Sequence, residues 1–516
     1  MLNNNFLIFK NTILLYFRLL LSMIVALFTS RIVLNTLGIE DFGIYGVVGG
    51  VITLLGFINS SLSSATSRFI TYEMGKNNTT NLNKIFNIAL CIHVIIAFII
   101  LILGETVGLW FLTHKLVIPV ERMYAAHWVY QFSILSMIIG VTQVPYTATI
   151  ISHERIDIYA YVDLVNIFTR LLIVYLLVFC DYDKLILYSL LMTFMNILTA
   201  LYYRYFCNKH FQESRLKLVW DNNIFYQMFS FSGWDLLGNL SVTVRGQGTN
   251  MLINMFFGVA INAASSIASQ VQGVVMAFAS NILTAVKPQI IKSYASGNYA
   301  RSNNLIEYSS VIILYLLLFI STPLIMEMNY ILKLWLGIIP QYSVIFCSLT
   351  LFFNIFSALA MLILTIPHAA GKNKYPSLFN GILYLTTLPI TYIIFKLNIA
   401  SVWFPYFYNT LSMLGGCIII AWIASKYLPS FSLKKFVFNV LLKNFIIVGC
   451  IFYLISIIQS LFGEESFMRL IVTCITSTIL LALVGYTIGI NHEVRNIINN
   501  YIANKTKTIK CKLFQS

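Results

Sequence analysis

Again and again this chain runs apolar for the roughly eighteen or more residues that mark a membrane-spanning helix, with only short polar loops between the runs. Fourteen candidate spans lie near 12–35, 43–66, 84–105, 125–148, 158–179, 185–206, 230–256, 262–286, 305–326, 342–366, 376–396, 399–424, 438–461 and 467–489. Charged residues make up 10% of the chain and hydrophobic ones 59%, where a soluble protein has about a quarter charged. No soluble chain could hide that much apolar surface. The fold class is therefore all-α and polytopic, and no loop is long enough to house a separate soluble domain.

Most of the 33 lysines and arginines fall in the loops after even-numbered spans and in the two termini. The positive-inside rule then places both termini in the cytoplasm, the basic tail 490–516 included. The net charge of +15 is spread over these loops and not gathered on a soluble face, so no nucleic-acid partner is expected. The apolar region after the N-terminus is too long for a cleavable signal and reads as the first membrane helix. The eight cysteines are scattered, form no CxxC pair and read as small hydrophobes. His93 and His127 stand alone in apolar runs. No metal site, cofactor or enzyme motif (HExxH, P-loop or GxSxG) occurs.

The chain also repeats itself. Thr71–Lys76 reads TYEMGK after the second span, and Ser293–Asn298 reads SYASGN after the eighth. Six spans separate the copies, and an even number gives parallel repeats related by an axis along the membrane normal. The expected organisation is a six-helix bundle over 1–210, a second over 225–425, and an additional helix pair over 438–489.

Polar residues concentrate in matching helices of the two halves. Trp234–Asn254 is long enough to cross a bilayer, yet it carries Asp235, Asn239, Thr243, Gln247, Asn250 and Asn254 within a sector of about 120° on a helical wheel. Polar groups facing hydrocarbon cost several kcal/mol unless satisfied, so this stripe is expected to line a polar cavity. Span 1 places Arg18, Ser22 and Thr29 on one face. Span 2 is rich in serine from Asn59 to Ser67. Span 8 aligns Asn262, Ser266, Ser269, Gly273 and Ser280. Single serines could equally serve as glue between helices. Gly46 and Gly50 form a GxxxG, and Pro389 and Pro405 fall where they could kink spans 11 and 12.

Four arginines lie within spans, where a charge needs a partner or water. Arg18 shares the polar face of span 1. Arg245 is central in span 7 but off its polar stripe, so either the helix unwinds at Gly246 or Gly248 or Arg245 points at another helix. Arg170 follows Asp163 by seven residues on one face of span 5, which suggests a structural ion pair. Arg31 is near the outer end of span 1 and can snorkel. Guanidinium forks donate two hydrogen bonds to one phosphate or carboxylate, so surplus arginine in a cavity favours an anionic substrate, and asparagine, serine and glutamine suit sugars.

Ser30–Val51, SRIVLNTLGIEDFGIYGVVGGV, followed by Asn59–Lys76, resembles the polysaccharide and O-antigen flippases of the multidrug/oligosaccharidyl-lipid/polysaccharide exporter superfamily. Arg31, Leu34, Leu37, Gly38, Asp41, Phe42, Gly43 and Tyr45 carry the likeness. The resemblance implies two bundles splayed in a V around a central cationic cavity, alternating access, and transfer of an undecaprenyl-pyrophosphate-linked oligosaccharide across a bacterial inner membrane. Arg18 and Arg245 map onto that cavity, with Asn239, Thr243, Gln247, Asn250, Asn262, Ser266 and Ser269 around it. Asp163, Arg170, Asp235 and Arg31 are candidates for ion coupling or structural ion pairs. Fourteen spans look like the lipid II flippase arrangement. Expected partners are the lipid-linked oligosaccharide, membrane lipids, and polysaccharide polymerase and assembly proteins. The alternative is a multidrug exporter coupled to Na⁺ or H⁺. Such exporters often use a carboxylate in the first helix, and span 1 has none.

Overall fold

A chain can satisfy its backbone inside lipid by helices, which pair each N–H within the segment, or by a closed barrel, and the described residues do so with helices alone. The structure is a computed structural model. It describes residues 56–489 apart from 77, 78, 115–117, 181, 218, 258 and 338, together with 15–22, single positions between 25 and 48, and 495. Arg31, Gly46, Gly50 and all of the tail except 495 lie outside the described residues, as do the side chains of Asn262 and Ser266.

The long helices are α1 (Gly56–Gly75), α2 (Thr79–Leu103), α3 (Met123–Ser152), α4 (Ile156–Val178), α5 (Lys184–His210), α6 (Asn222–Phe257), α7 (Val259–Ala295), α8 (Tyr299–Met326), α9 (Ser343–Ile363), α10 (Lys374–Leu385), α11 (Thr387–Lys396), α12 (Phe404–Tyr427), α13 (Lys443–Ser460) and α14 (Phe467–Val484). Among the described residues, 11 helical segments are long and apolar enough to cross a membrane. They fall on the expected spans three to six and eight to fourteen. The seventh, α6, has 36 residues but too many polar side chains to count with them. The first two spans fall in part on residues outside the description.

Prolines set two of the boundaries. α10 and α11 form one span interrupted at Thr386. Pro389 has no N–H for the Leu385 carbonyl, and the Thr386 hydroxyl bonds back to Leu383 O at 2.6 Å. Pro405 does not kink α12. It sits in the first turn, where a missing N–H goes unused anyway.

The chain divides into two compact units. One comprises residues 1–244, 284–298 and 365–381, and the other 245–283, 299–364 and 382–516. In the first, α3 packs along α2 and α5, and Leu62, Phe69, Ile70, Phe86, Tyr146, Phe206 and Phe231 form a core. In the second, α9 packs along α8 and α12, with Phe346, Leu351, Phe356 and Leu359 buried. Both pairings of the first unit thus recur six spans later in the second.

Between helices in lipid the hydrophobic effect supplies little attraction, so polar bonds and close contacts fix the docking. Two cases stand out. α14 docks on α8 in the second unit, where buried Glu327 accepts from Arg469, Gln459 and Thr473. In the first unit the helix after α2 widens into a π-turn over Gly104–Gly108. There the Tyr130 hydroxyl donates to Gly104 O at 2.7 Å, and a Cβ on Gly108 would overlap that hydroxyl.

Candidate functional site

α6 holds the stripe that the sequence singles out, and it runs unbroken from Asn222 to Phe257. The helix does not unwind at Gly246 or Gly248. Arg245 instead points at neighbouring helices, the second alternative.

In the first unit the stripe meets other polar side chains. Asn239 donates to the Ser61 hydroxyl of α1 at 3.0 Å and to Asp235 O. Asp235 is buried with His368 Nε2 at 3.3 Å. Thr243 bonds back to Asn239 O at 3.0 Å. The serine-rich face of α1 therefore satisfies part of the stripe directly. Such matching is what a polar face on each of two neighbouring helices produces in a medium without water.

Also in the first unit, Arg18 makes an ion pair with Asp163 on α4, its guanidinium 5.1 Å from the Tyr159 ring centre. This corrects the expected pairing of Asp163 with Arg170. Arg170 is exposed and makes no ion pair among the described residues. Seven residues bring Arg170 onto the face of Asp163, but two turns apart; Arg18, on another helix, can approach end-on. Arg18 is thereby neutralised in this state.

One residue of the resemblance motif acquires a structural role. Asp41 accepts from Arg122 Nε at 2.7 Å, and Arg122 also bonds Asp183 at 2.7 Å. One guanidinium thus ties two carboxylates that are far apart in sequence. Nothing in the spacing of these three residues announces it.

In the second unit Arg245 is 7% exposed. Its guanidinium lies 4.7 Å from the Phe353 ring centre on α9 and 4.5 Å from that of Tyr384 on α10. These faces attract a cation but accept no charged hydrogen bond. Nη1 is buried with no hydrogen-bond partner among the described residues. The same holds for Thr249 Oγ1, one turn along α6, for Asn354 Oδ1 beside Phe353, and for Thr387 Oγ1, one turn beyond Tyr384. Asp235 is the last aspartate in the chain, and Glu327, the buried glutamate of the second unit, is committed to Arg469. Among the described residues Arg245 is thus a buried guanidinium with no ion-pair partner, lying against two aromatic rings.

Asn250 accepts from the Ser265 hydroxyl at 2.8 Å, and Ser265 also meets the Tyr406 hydroxyl. Gln247 and Ser269 are exposed. Sequence reasoning did not foresee Phe353, Tyr384 or His368, because aromatic and histidine side chains in apolar helices look like ordinary core. Among the described residues no group of three or more His, Cys, Asp or Glu could hold a metal ion.

No family model and no curated protein matches the sequence. Solved structures do match the fold. One is the outward-facing conformation of a multidrug resistance MATE family transporter of the MOP superfamily, with a TM-score of 0.70 and 14% identity over 82% of this chain and 96% of that one. A mutant of the Vibrio cholerae MATE transporter VcmN matches with a TM-score of 0.68 and 15% identity over 84% of this chain and 98% of that one. A MOP superfamily transporter from Pyrococcus furiosus matches with a TM-score of 0.68 and 14% identity over 83% and 96%. The chain has a MATE-like, all-helical membrane fold.

Proposed function

We propose that this chain is a membrane transporter that carries an anionic, lipid-linked oligosaccharide between the leaflets of a bacterial inner membrane. The cargo is an undecaprenyl-pyrophosphate-linked repeat unit of O-antigen, capsule or a related polysaccharide, moved by alternating access with both termini cytoplasmic. The observation that carries this reading is Arg245, a buried guanidinium with, among the described residues, an uncommitted donor and no carboxylate partner. A diphosphate supplies the charge and the acceptors that the aromatic rings do not. The uncommitted oxygens at Thr249, Asn354 and Thr387 suit sugar hydroxyls. Arg18, paired with Asp163, joins the cargo only if Asp163 is protonated or moves, which makes that pair a candidate for ion coupling beside Asp235.

A second reading is a multidrug exporter coupled to Na⁺ or H⁺. The solved structures favour it at least as well, since those named above include a multidrug resistance transporter. The fold itself is not tied to drug chemistry, because the Pyrococcus furiosus structure is described by a binding pocket of reverse polarity that suggests a different function.

The test is a deletion strain complemented with wild type or Arg245→Ala at matched protein abundance. Lipid-linked glycans are weighed by mass spectrometry and assigned to a leaflet with a membrane-impermeant probe. The flippase reading expects an undecaprenyl-pyrophosphate oligosaccharide to build up on the cytoplasmic side in both the deletion and the Arg245→Ala strain. An unchanged lipid-linked pool with reduced drug tolerance selects the exporter reading.

A further inference from the structure

Two turns in the first unit are built alike although 217 residues separate them. After α3, His153 N bonds Thr149 O, Glu154 N bonds Ile151 O and Arg155 N bonds Ile150 O. Before α10, Ala370 N bonds Ile366 O, Gly371 N bonds His368 O and Lys372 N bonds Pro367 O. Each turn ends a helix through a left-handed residue, Glu154 at φ 60° and Gly371 at φ 71°. Glycine is the usual occupant of such a position, and a glutamate there is strained.

Each turn is gripped by a basic residue from the helix that carries one copy of the sequence repeat. Arg68 of α1 donates from Nε to His368 O at 2.8 Å and from Nη2 to Ala369 O at 3.0 Å. It is 8% exposed and lies over the rings of Phe69, Tyr72 and Phe231. A Cβ on Gly371 would come within 2.9 Å of Nη2, so glycine serves both the turn and the grip. Lys292 of α7 meets Glu154 at 2.6 Å, and Gln289 donates to the same carboxylate. The two gripping helices touch where their repeats end: a Cβ on Gly75 would lie 2.7 Å from Ala295 Cβ.

We propose that these contacts form a reciprocal double latch, in which α1 holds the turn at 370–372 and α7 holds the turn at 153–155, and that both must release before the Lys/Arg-rich ends of these helices part. The side chain of Glu154 explains the strain at its own backbone. Its carboxylate is needed for Lys292, so glycine, the residue the turn prefers, is not used. The two grips come from the two helices that carry the repeat, but at its offset of 222 residues Arg68 falls on Ile290 and not on Lys292, so they are analogous in place and not in residue, and they require nothing about the cargo.

The latch is independent of whether a glycan or a drug is carried, and its test uses no substrate. Ser61, two turns along α1 from Arg68, is fully buried and becomes the reporter as Ser61→Cys after the eight native cysteines are replaced. The full-length protein in liposomes is labelled with a membrane-impermeant maleimide from the face bearing the two turns. Glu154→Gly removes the carboxylate while relaxing the turn, so it opens the latch without harming the fold. Labelling should accelerate about tenfold or more, since about tenfold is expected for one charge-assisted hydrogen bond and Glu154 accepts two. Arg68→Gln should do likewise, and Glu154→Lys combined with Lys292→Glu should return the rate to within about twofold of the parent. An unchanged rate in Glu154→Gly, in protein with undiminished thermal stability, overturns the latch.

Discussion

Glu327 offers the sharpest test of how the last helix pair is held. The residue follows α8 and is 1% exposed. It accepts from Arg469 Nε at 3.1 Å and Nη2 at 2.9 Å, from Gln459 Nε2 at 2.7 Å and from Thr473 Oγ1 at 2.9 Å. Glu327→Ala deletes the acceptor for all of these and leaves Arg469, whose side chain is 12% exposed, with Glu465 at 3.7 Å as its remaining carboxylate. Breaking a buried ion pair from one side costs about 3–5 kcal/mol. Glu465 is a third exposed and compensates only weakly, so the lower end, about 3 kcal/mol, is expected. Arg469→Ala leaves Gln459 and Thr473 in place and should cost less. The double mutant should recover about 1–2 kcal/mol relative to the sum of the singles, because neither charge is then stranded. The assay is reversible unfolding of the full-length protein in one detergent, with hydrogen exchange read separately over α14, whose amides should lose protection first. If Glu327→Ala lies within about 0.5 kcal/mol of wild type, or if the two substitutions add, the anchor argument is wrong.

Two further outcomes are expected. Gly108→Ala should destabilise the protein because its methyl meets the Tyr130 hydroxyl, and Tyr130→Phe should partly rescue it in a thermal melt despite losing the bond to Gly104 O; no rescue would place the clash elsewhere. Asp183 caps α5 by accepting from Leu185 and Ile186 N–H at 3.1 and 3.2 Å and also binds Arg122. Burial pushes its carboxyl upward, but Arg122 and the two amides more than offset this, so it titrates below the ordinary carboxylate range. A depressed folded-state value contributes stability above the unfolded value of about 4, and that stability is lost as pH falls through the folded one. The stability gap between wild type and Asp183→Asn should therefore narrow from pH 7 to pH 3. A gap that is constant with pH would show that the carboxylate charge is not what stabilises the cap.

Much of the architecture was legible in the sequence, for a plain physical reason. Backbone groups in lipid must be satisfied within a helix or a closed barrel, and a continuous apolar run of about twenty residues fits the helix, because a barrel strand is about half that length and alternates. Polar periodicity likewise marked α6, where Asp235 and Asn239 do meet polar partners. Periodicity gives a direction around a helix axis but not the identity of the neighbour in that direction. Asp163 and Arg170 share a face, yet Asp163 is held by Arg18 from another helix. The off-stripe position of Arg245 left two explanations open, and only the placement of Phe353 and Tyr384 decided between them.

By itself the sequence determined a polytopic all-helical chain and a set of intramembrane charges that demand partners, and it raised the expectation of a parallel six-span repeat. The tertiary structure decided who those partners are. Arg68, Glu154, Lys292 and Gly371 look unremarkable along the chain, being loop-side charges and a turn glycine. Their meaning depends on helices and turns that are more than a hundred residues apart coming within hydrogen-bond reach. A charge in a one-dimensional pattern reports only that desolvation must be compensated. The compensating atom is chosen by three-dimensional packing, because a hydrogen bond acts over about 3 Å and is indifferent to separation along the chain.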